Sequence, residues 1–230
     1  MTPQREQISV IIPAFDEENS IALSLASTGD RLDIQRIVVD GGSSDRTVEL
    51  ARACGAEVLR SPKGRAKQMN RGAEAATGKV LIFLHADTRL PSGFDDHVRR
   101  LLAGPGVSAG AFRLRLDAPF LRFRIIEGLA NWRSRSMEMP YGDQAIFVKA
   151  SLFREVGGFP DVPVMEDVEL IRHLRKKGRI AIADVPAVTS ARRWMAHGFC
   201  QTTLIHQVLL GAYFLGVSPS RLARWHDRGR

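Results

Sequence analysis

The sequence contains few cysteines and no hydrophobic run long enough to cross a membrane. Its two cysteines, Cys54 and Cys200, lie far apart and show no metal-binding spacing, which argues against a disulfide framework or a structural zinc site. The longest apolar run near the C-terminus, residues 208–217, is shorter than the about 20 residues that a transmembrane helix requires. The polar start at residues 1–6 predicts no signal peptide. These absences favour a cytoplasmic protein.

Aromatic residues are also scarce, at 7%, whereas basic residues are abundant. The 33 lysines and arginines exceed the 25 acidic residues and give a formal net charge of +8. Such a surface attracts phosphates, anionic lipid headgroups or nucleic acids. A basic nucleic-acid-binding protein is the non-enzyme alternative, but its arginines should interleave with exposed aromatic residues. Most aromatic residues here lie in apolar runs, so we expect no nucleic-acid partner.

Short apolar runs alternate with helical patterns along the first hundred residues. Strands are predicted at residues 8–12, 37–39, 57–59 and 80–84, with helices at residues 20–26, 45–54 and 65–76 between them. This alternation predicts an α/β fold with a mostly parallel central sheet and helices on both faces.

The second half of the chain is less regular. A strand is predicted at residues 109–116, and helices are predicted at residues 120–134, 167–177 and 196–215. The basic amphipathic pattern of residues 120–134 favours a core-facing helix with a solvated rim over a membrane-surface helix. We expect one domain over residues 1–230, with a nucleotide-binding half at about 1–105 and an acceptor-binding half at about 106–230.

Acidic residues follow three of the predicted strands. Asp16 and Glu17 follow the first strand, Asp40 ends the second, and Asp87 comes two positions after His85 at the end of the fourth. Because ligands of open α/β sheets bind outside the carboxyl ends of the strands, these side chains are expected at one cleft. The His85–Asp87 pair could hold a divalent cation that binds a diphosphate. Turn formation and first-turn helix charge are the structural alternatives.

The turn after the first strand lacks the Gly-x-Gly-x-x-Gly pattern of a dinucleotide-binding domain. A sugar nucleotidyltransferase would also need a glycine-rich basic loop at this position. Carboxylates there suit a nucleobase, ribose hydroxyl groups or a metal. Any phosphates should therefore lie elsewhere, near Lys63, Arg65 or the His85–Asp87 pair.

Ordered motifs resemble those of family 2 glycosyltransferases. They comprise residues 9–18, 38–47, 64–72, 80–87 and 166–170. Residues 141–144 and 190–194 further resemble a small bacterial subgroup of that family, in which some members are linked to arsenosugar biosynthesis.

The resemblance implies a GT-A fold, a nucleotide-diphospho-sugar donor, a divalent cation (Mn²⁺ or Mg²⁺) and inversion at the anomeric carbon. It implies the following positions at the donor: Pro13, Ala14, Phe15 and Glu17 in the nucleoside pocket, Asp40 at the nucleobase, Arg65 near the nucleotide, His85 and Ala86 near the ribose or pyrophosphate, and Asp87 on the metal.

Two departures from the family pattern affect these expectations. His85 stands where the family usually has aspartate, and histidine suits Mn²⁺ better than Mg²⁺, which prefers oxygen. We therefore expect Asp87 to be the main metal ligand, with His85 or His197 as candidate further ligands. Ser190 stands where processive relatives carry glutamine, which favours single transfer over polymer synthesis.

The resemblance implies that Asp167 is the catalytic base, with Glu166 as the alternative. Both could instead simply charge the start of a helix. Around the acceptor or diphosphate we expect Asp143, Gln144, Arg192, Arg193 and Trp194, for which a turn and an ordinary surface arginine pair are the alternatives.

The acceptor stays open between a small molecule and a lipid-linked one. In the second case, residues 120–134 and 204–217 could contact an anionic membrane at its inner face. The sequence also leaves open the sugar, the nucleobase and homo-oligomer formation.

Overall fold

The computed structural model describes residues 6–197 and 199–228, without the side chains of residues 193, 197, 199–202, 204, 206, 207 and 225–228. The strands are β1 (Ile8–Ala14), β2 (Ile34–Asp40), β3 (Glu57–Arg60), β4 (Val80–Phe83), β5 (Thr88–Arg89), β6 (Val107–Asp117), β7 (Ile146–Lys149) and β8 (Arg179–Ser190). The helices are α1 (Ile21–Ala26), α2 (Thr47–Ala53), α3 (Arg65–Ala75), α4 (Phe94–Leu102), α5 (Leu121–Ser136), α6 (Ala150–Glu155), α7 (Glu166–Arg175), α8 (Arg192–His197), α9 (Phe199–Phe214) and α10 (Pro219–Arg228).

The strands form one sheet in the order β3-β2-β1-β4-β7-β6-β8-β5. Strands β1 to β4 run parallel to their neighbours within this group, and β6 is parallel to β8. Strand β7 is antiparallel to both β4 and β6, and the short β5 is antiparallel to β8. The expected mostly parallel sheet is therefore confirmed, with β7 as the inserted antiparallel strand.

Hydrophobic cores cover both faces of the sheet. Because successive strand side chains point to opposite faces, Ile11 and Leu81 pack with α3 and α7, whereas Val10 and Ile12 pack with α1 and α4. All seven residues of β1 are buried, as befits a central strand. Helices on both faces, as the sequence predicted, leave the carboxyl edge of the parallel strands open for a site.

Strand β1 continues two residues beyond its predicted end at Ile12. Its pairing with β4 stops at Ile11 opposite Phe83, whereas its pairing with β2 continues to Ala14 opposite Asp40. Pro13 therefore pairs with β2 but not with β4. Its missing N–H costs no ladder hydrogen bond with β4, because β4 no longer pairs at this position. The strand delivers the next residues to the edge of the sheet.

Helix α5 differs from the expected core-facing helix. It buries Phe123, but Ile125, Leu129 and Trp132 face outward. Strand β6 beside it agrees with the prediction in its second half, where Arg113 and Arg115 are exposed. Within the described ranges, every helix is too short or too polar to cross a membrane.

Candidate active site

Gln68 connects the ends of β1 and β2 by hydrogen bonds at the carboxyl edge of the sheet. Its side-chain amide donates to the carbonyl oxygens of Ala14 and Val39, each at 2.8 Å, and it is 3% exposed. The N–H of Gly41 adds a hydrogen bond of 2.9 Å to the Ala14 carbonyl. No role was predicted for Gln68 from the sequence. The available signal was a polar residue one helical turn before Gly72, a spacing that places both on the same buried side of α3.

The predicted nucleoside side begins at these two strand ends. Asp40 is 3% exposed and accepts hydrogen bonds from the N–H groups of Gly42 at 3.1 Å and Ser43 at 3.0 Å. It thus performs the turn-forming role that was its structural alternative. Phe15 is 37% exposed, and the Lys63 ammonium lies 3.6 Å from the centre of its ring. This pair offers a flat apolar surface beside a positive charge.

Pro13, Ala14 and Ala86 are buried at this edge. Ala14 joins the network of Gln68 through its backbone carbonyl. Their predicted contact with the nucleoside stays a prediction.

Arg192 joins two acids that come from different strands. One of its terminal nitrogens donates to both carboxylate oxygens of Glu17, and the same nitrogen lies 3.5 Å from Asp87 Oδ2. Arg192 begins α8, immediately after β8 ends at Ser190. The side chains predicted for the ribose, the metal and the diphosphate therefore lie together.

Asp167 lies in the first turn of α7 and is held by two backbone donors. Gly142 N–H donates to Asp167 Oδ2 at 2.7 Å, and Val168 N–H donates to Oδ1 at 2.8 Å. A Cβ atom on Gly142 would lie only 2.7 Å from Nε2 of His85 and 3.4 Å from Asp167 Oδ2. Because Gly142 has no side chain, both His85 and Asp167 can lie close to its backbone.

Glu166, next to Asp167, is buried and pairs with Arg65, whose side chain is 45% exposed. Arg65 Nε lies 2.9 Å from Glu166 Oε1, and the Glu166 side chain is 4% exposed. Within the part of the chain that the structure describes, Oε2 is buried without a hydrogen-bond partner. Burial raises the pKa of Glu166, and the Arg65 charge opposes this effect. Asp167 is less buried and carries no comparable ion pair with Arg65, so it is the more accessible carboxylate.

Asp143 adds a third carboxyl group to this region. Burial raises the pKa of Asp143 to about 6; the Arg133 charge opposes this effect, whereas Asp167 and Asp87 reinforce it. Its Oδ1 atom is buried and has no hydrogen-bond partner among the described residues. Asp143 is therefore close enough to Asp167 and Asp87 for their charges to act on it. Its predicted role near the acceptor or diphosphate stays a prediction.

Gln144 and Trp194 both make contacts within the protein, and their predicted contacts with the acceptor or diphosphate stay predictions. Gln144 is fully buried, donates to the Phe112 carbonyl at 2.9 Å and accepts from Ser134 at 2.7 Å, so it positions its turn. The Trp194 ring packs edge-on against Phe123, with 6.4 Å between the ring centroids, and so contributes to the contact between α8 and α5. The side chains of Arg193 and His197 lie outside the described residues.

The acids do not form a complete metal site by themselves. Among the described side chains, no three His, Cys, Asp or Glu residues converge as metal ligands. Mg²⁺ and related cations are usually held by one or two carboxylates together with substrate phosphates. Asp87, which already faces the positive charge of Arg192 at 3.5 Å, fits that chemistry as the protein ligand of a cation that binds with its diphosphate.

A small cavity of about 10 Å³ lies among His85, Gly142, Glu166 and Asp167. A groove of about 130 Å³ borders the other side of Asp87, lined in part by Asn19, Arg89 and Ser190. Ligands of such α/β sheets bind at the carboxyl edge of the parallel strands. Acids presented there fit the GT-A fold of nucleotide-diphospho-sugar transferases that the sequence motifs imply.

Comparison with known proteins identifies the family. The family described as Glycosyl transferase family 2 matches residues 9–154. The chain belongs to this family.

Individual relatives agree with this assignment. A protein from Staphylococcus haemolyticus (strain JCSC1435), described as 4,4'-diaponeurosporenoate glycosyltransferase, is 35% identical over 94 residues, which are 37% of this chain and 25% of the relative. The chain thus matches about a quarter of that protein's length.

Two solved structures have similar folds. The mannosyltransferase PcManGT from Pyrobaculum calidifontis, in complex with GDP-Man and Mn²⁺, has a TM-score of 0.71 at 21% identity, covering 96% of this chain and 69% of that one. Glucosyl-3-phosphoglycerate synthase from Mycobacterium tuberculosis, in complex with Mn²⁺, uridine-diphosphate and glucosyl-3-phosphoglycerate, has a TM-score of 0.57 at 20% identity, covering 80% and 72%. At these identities the similarity shows the fold alone.

Proposed function

We propose that the protein transfers a sugar from a nucleotide-diphosphate donor to an acceptor hydroxyl group, with inversion at the anomeric carbon and with Asp167 as the general base. The observation that carries the proposal is the position of Asp167. Its carboxylate is oriented by the N–H groups of Gly142 and Val168 and lies in the same small cavity as His85, at the acidic edge of the sheet.

The base role follows from availability and orientation. An inverting transfer needs a base that removes the hydroxyl proton while the oxygen attacks the anomeric carbon, and such a group typically contributes about 10²–10⁴-fold to the rate. Two fixed N–H donors hold Asp167 in one orientation. Glu166 is the weaker candidate because Arg65 already pairs with it.

The donor would bind along the carboxyl edge of the sheet. The nucleoside would lie beside Phe15 and Asp40, and the diphosphate would lie near Arg65 and Asp87. A divalent cation held by Asp87 would neutralise charge on the departing diphosphate. The structurally similar mannosyltransferase and synthase, which were solved with Mn²⁺ and with GDP-Man or uridine-diphosphate, support this arrangement.

Arg192 would change partners when the donor binds. In the structure Arg192 pairs with Glu17 and lies near Asp87. Arginine binds phosphate oxygens well because its planar group donates two parallel hydrogen bonds. We propose that Arg192 contacts the diphosphate once Glu17 turns to the ribose or nucleobase.

The acceptor would bind at the half formed by residues 106–230, near Asp143. Both halves would belong to a single domain, and the protein would be located in the cytoplasm. A small-molecule acceptor is the simpler proposal. A lipid-linked acceptor is the second candidate, and one observation favours it: the exposed apolar side chains of α5 lie on the helix that precedes the Tyr141–Asp143 segment.

Replacing the base tests the proposal. The Asp167→Asn variant should lose transfer by roughly 100-fold or more, because the amide cannot accept the hydroxyl proton. Its affinity for the nucleotide diphosphate with Mn²⁺, measured by calorimetry, should be unchanged. Asp184→Asn, at a carboxylate whose side chain is 91% exposed, is the matched control. Near-normal turnover of Asp167→Asn would refute the assignment, and loss of turnover in Glu166→Gln alone would move the role to Glu166.

A further inference from the structure

Helix α5 exposes a row of large apolar side chains. Leu121 is 78% exposed, Ile125 62%, Leu129 64% and Trp132 61%. Their spacing of four, four and three residues places them on one side of the helix, over about 16 Å at 1.5 Å per residue. These four residues are called the α5 stripe below. Isolated exposed leucines are ordinary, but a continuous row along a helix indicates a contact surface.

Polar contacts fix the orientation of α5, so the stripe cannot turn inward. The Asn131 side chain exchanges two hydrogen bonds with the backbone of Leu114, at 2.8 and 3.0 Å, and Glu127 accepts from the N–H of Leu116 at 2.6 Å. These buried side chains attach the helix along β6 and satisfy backbone groups there. The hydrogen-bonded face of α5 must therefore face the protein, and the stripe must face away from it.

Charge around the stripe favours an anionic partner. The only acid of α5, Glu127, is buried and pairs with Arg124 at 2.8 Å. Arg122 and Arg135 are exposed on the same helix, and Arg135 pairs with Asp184. A symmetric contact between two copies of this face would bring arginines together. An anionic lipid surface instead accepts both the apolar row and the basic flanks.

We propose that α5 is a membrane-docking surface, which lies in the interface of an anionic lipid bilayer with the α5 stripe facing the acyl chains. An amphipathic helix with basic residues beside an apolar face binds in this way without crossing the bilayer. Trp132 would then lie at the boundary between headgroups and acyl chains, where the indole ring is favoured.

Docking through α5 would bring the candidate acceptor side close to the lipid surface. Ser134 near the end of α5 donates to Gln144 at 2.7 Å, and the Arg133 guanidinium lies 3.5 Å from the centre of the Tyr141 ring. These contacts join α5 to the segment whose Gly142 N–H holds Asp167. The conclusion that the acceptor is itself lipid-linked rests on the proposed function, whereas docking does not.

Vesicle flotation with the full chain tests the docking. The protein should float with phosphatidylglycerol vesicles at low salt, and less so at high salt or with phosphatidylcholine alone. The double variant Ile125→Gln/Leu129→Gln should bind roughly tenfold or more weakly, since half of the stripe no longer enters the interface. Leu32→Gln, at a leucine that is fully exposed elsewhere, should bind like the wild type.

Tryptophan fluorescence gives a second measurement. Emission should shift to the blue with phosphatidylglycerol vesicles, and Trp132→Phe should remove the shift. Circular dichroism of each variant checks that it folds, as expected for substitutions at exposed positions. Absence of wild-type binding at low salt, or equal binding by the double variant, would overturn the proposal. A wild-type dimer that the double variant converts to a monomer would assign the stripe to a second copy instead.

Failure of docking and failure of the proposed function give different results. If docking fails, the protein does not float, but it still binds a nucleotide diphosphate and Asp167→Asn still abolishes transfer. If the proposed function fails, Asp167→Asn retains its turnover, while flotation still depends on Ile125 and Leu129.

Discussion

Asp143 shows, at the scale of one residue, that the candidate site carries a cost in stability. Burial disfavours its charge, and the neighbouring charges of Asp167 and Asp87 disfavour it further. Carboxyl groups with pKa values near 6 can exchange protons near neutral pH and are common at functional sites.

The pH dependence of stability should reveal this cost. Because the pKa of Asp143 rises from 3.8 to about 6 on folding, the folded protein binds the proton more tightly, and stability decreases as the pH rises through this window. We expect Asp143→Asn to raise the free energy of unfolding at pH 8 by up to about 3 kcal/mol. The gain should vanish below pH 3.8, where the aspartic acid is neutral in both states.

Urea denaturation of both proteins across this pH range measures the effect. Asp161→Asn is the matched control, since the Asp161 side chain is 71% exposed and pairs only loosely with Lys67, at 3.6 Å. A stability difference for Asp143→Asn that is the same at pH 4 and pH 8 would contradict the prediction.

Sequence patterns could identify the residue types at the site but not every contact. The strand ends predicted that Asp40, Asp87 and their neighbours would lie at one edge, because parallel strands place their ends together. The local pattern could not show that Gln144 is fully buried, since its partners Phe112 and Ser134 come from β6 and α5. Such contacts depend on tertiary packing, which the spacing of residues along the sequence does not reveal.

At the scale of elements, α3 supports the nucleotide side of the sheet through Gln68. In Gln68→Leu the carbonyl groups of Ala14 and Val39 would lose a buried donor, at a cost of about 1–3 kcal/mol in the free energy of unfolding. Nucleotide affinity should fall as well, because β1 and β2 deliver Phe15 and Asp40 to the edge.

Chemical unfolding and nucleotide titration of Gln68→Leu check both effects. Arg71→Ala on the same helix is the control, because the Arg71 side chain is 51% exposed and pairs with Glu74 at the surface. Such pairs contribute little to stability. A Gln68→Leu variant as stable as Arg71→Ala would argue against this anchoring role.

Helix α5 explains why amphipathic patterns gave the wrong orientation. The sequence showed apolar and basic residues at helical spacing, and the apolar side was expected to face the core. In the structure Asn131 and Glu127 bind the backbone of β6, and these polar contacts determine which side of α5 faces the protein. The backbone N–H and C=O groups of β6 need hydrogen-bond partners, and the polar side of α5 supplies them. A hydrophobicity pattern cannot reveal this requirement.

At the scale of the whole molecule, Arg192 connects distant parts of the chain at the donor side. It lies after β8 and contacts Glu17 after β1, 175 positions away, as well as Asp87 after β4. A guanidinium between two carboxylates holds together acids that would otherwise repel each other. A donor that arrives with a cation could supply that positive charge instead and release Arg192 for the diphosphate.

This exchange predicts that nucleotide and cation stabilise the protein together. A nucleoside diphosphate with Mn²⁺, at 100 times its dissociation constant, should add about 2.7 kcal/mol of stability. For a chain of this size, that raises the melting temperature by roughly 5–10 °C. The diphosphate without Mn²⁺ should give a smaller shift, because it lacks the cation that would link it to Asp87. The matching monophosphate with Mn²⁺ should also give a smaller shift, because it lacks the diphosphate that would bind the cation. Asp87→Asn should lose the Mn²⁺-dependent part of the shift and keep the part due to the nucleoside.

Thermal shifts with a panel of nucleoside diphosphates measure this directly and identify the preferred base. Equal shifts with and without Mn²⁺, unchanged in Asp87→Asn, would contradict this exchange and would mean that the diphosphate binds to basic side chains without a cation.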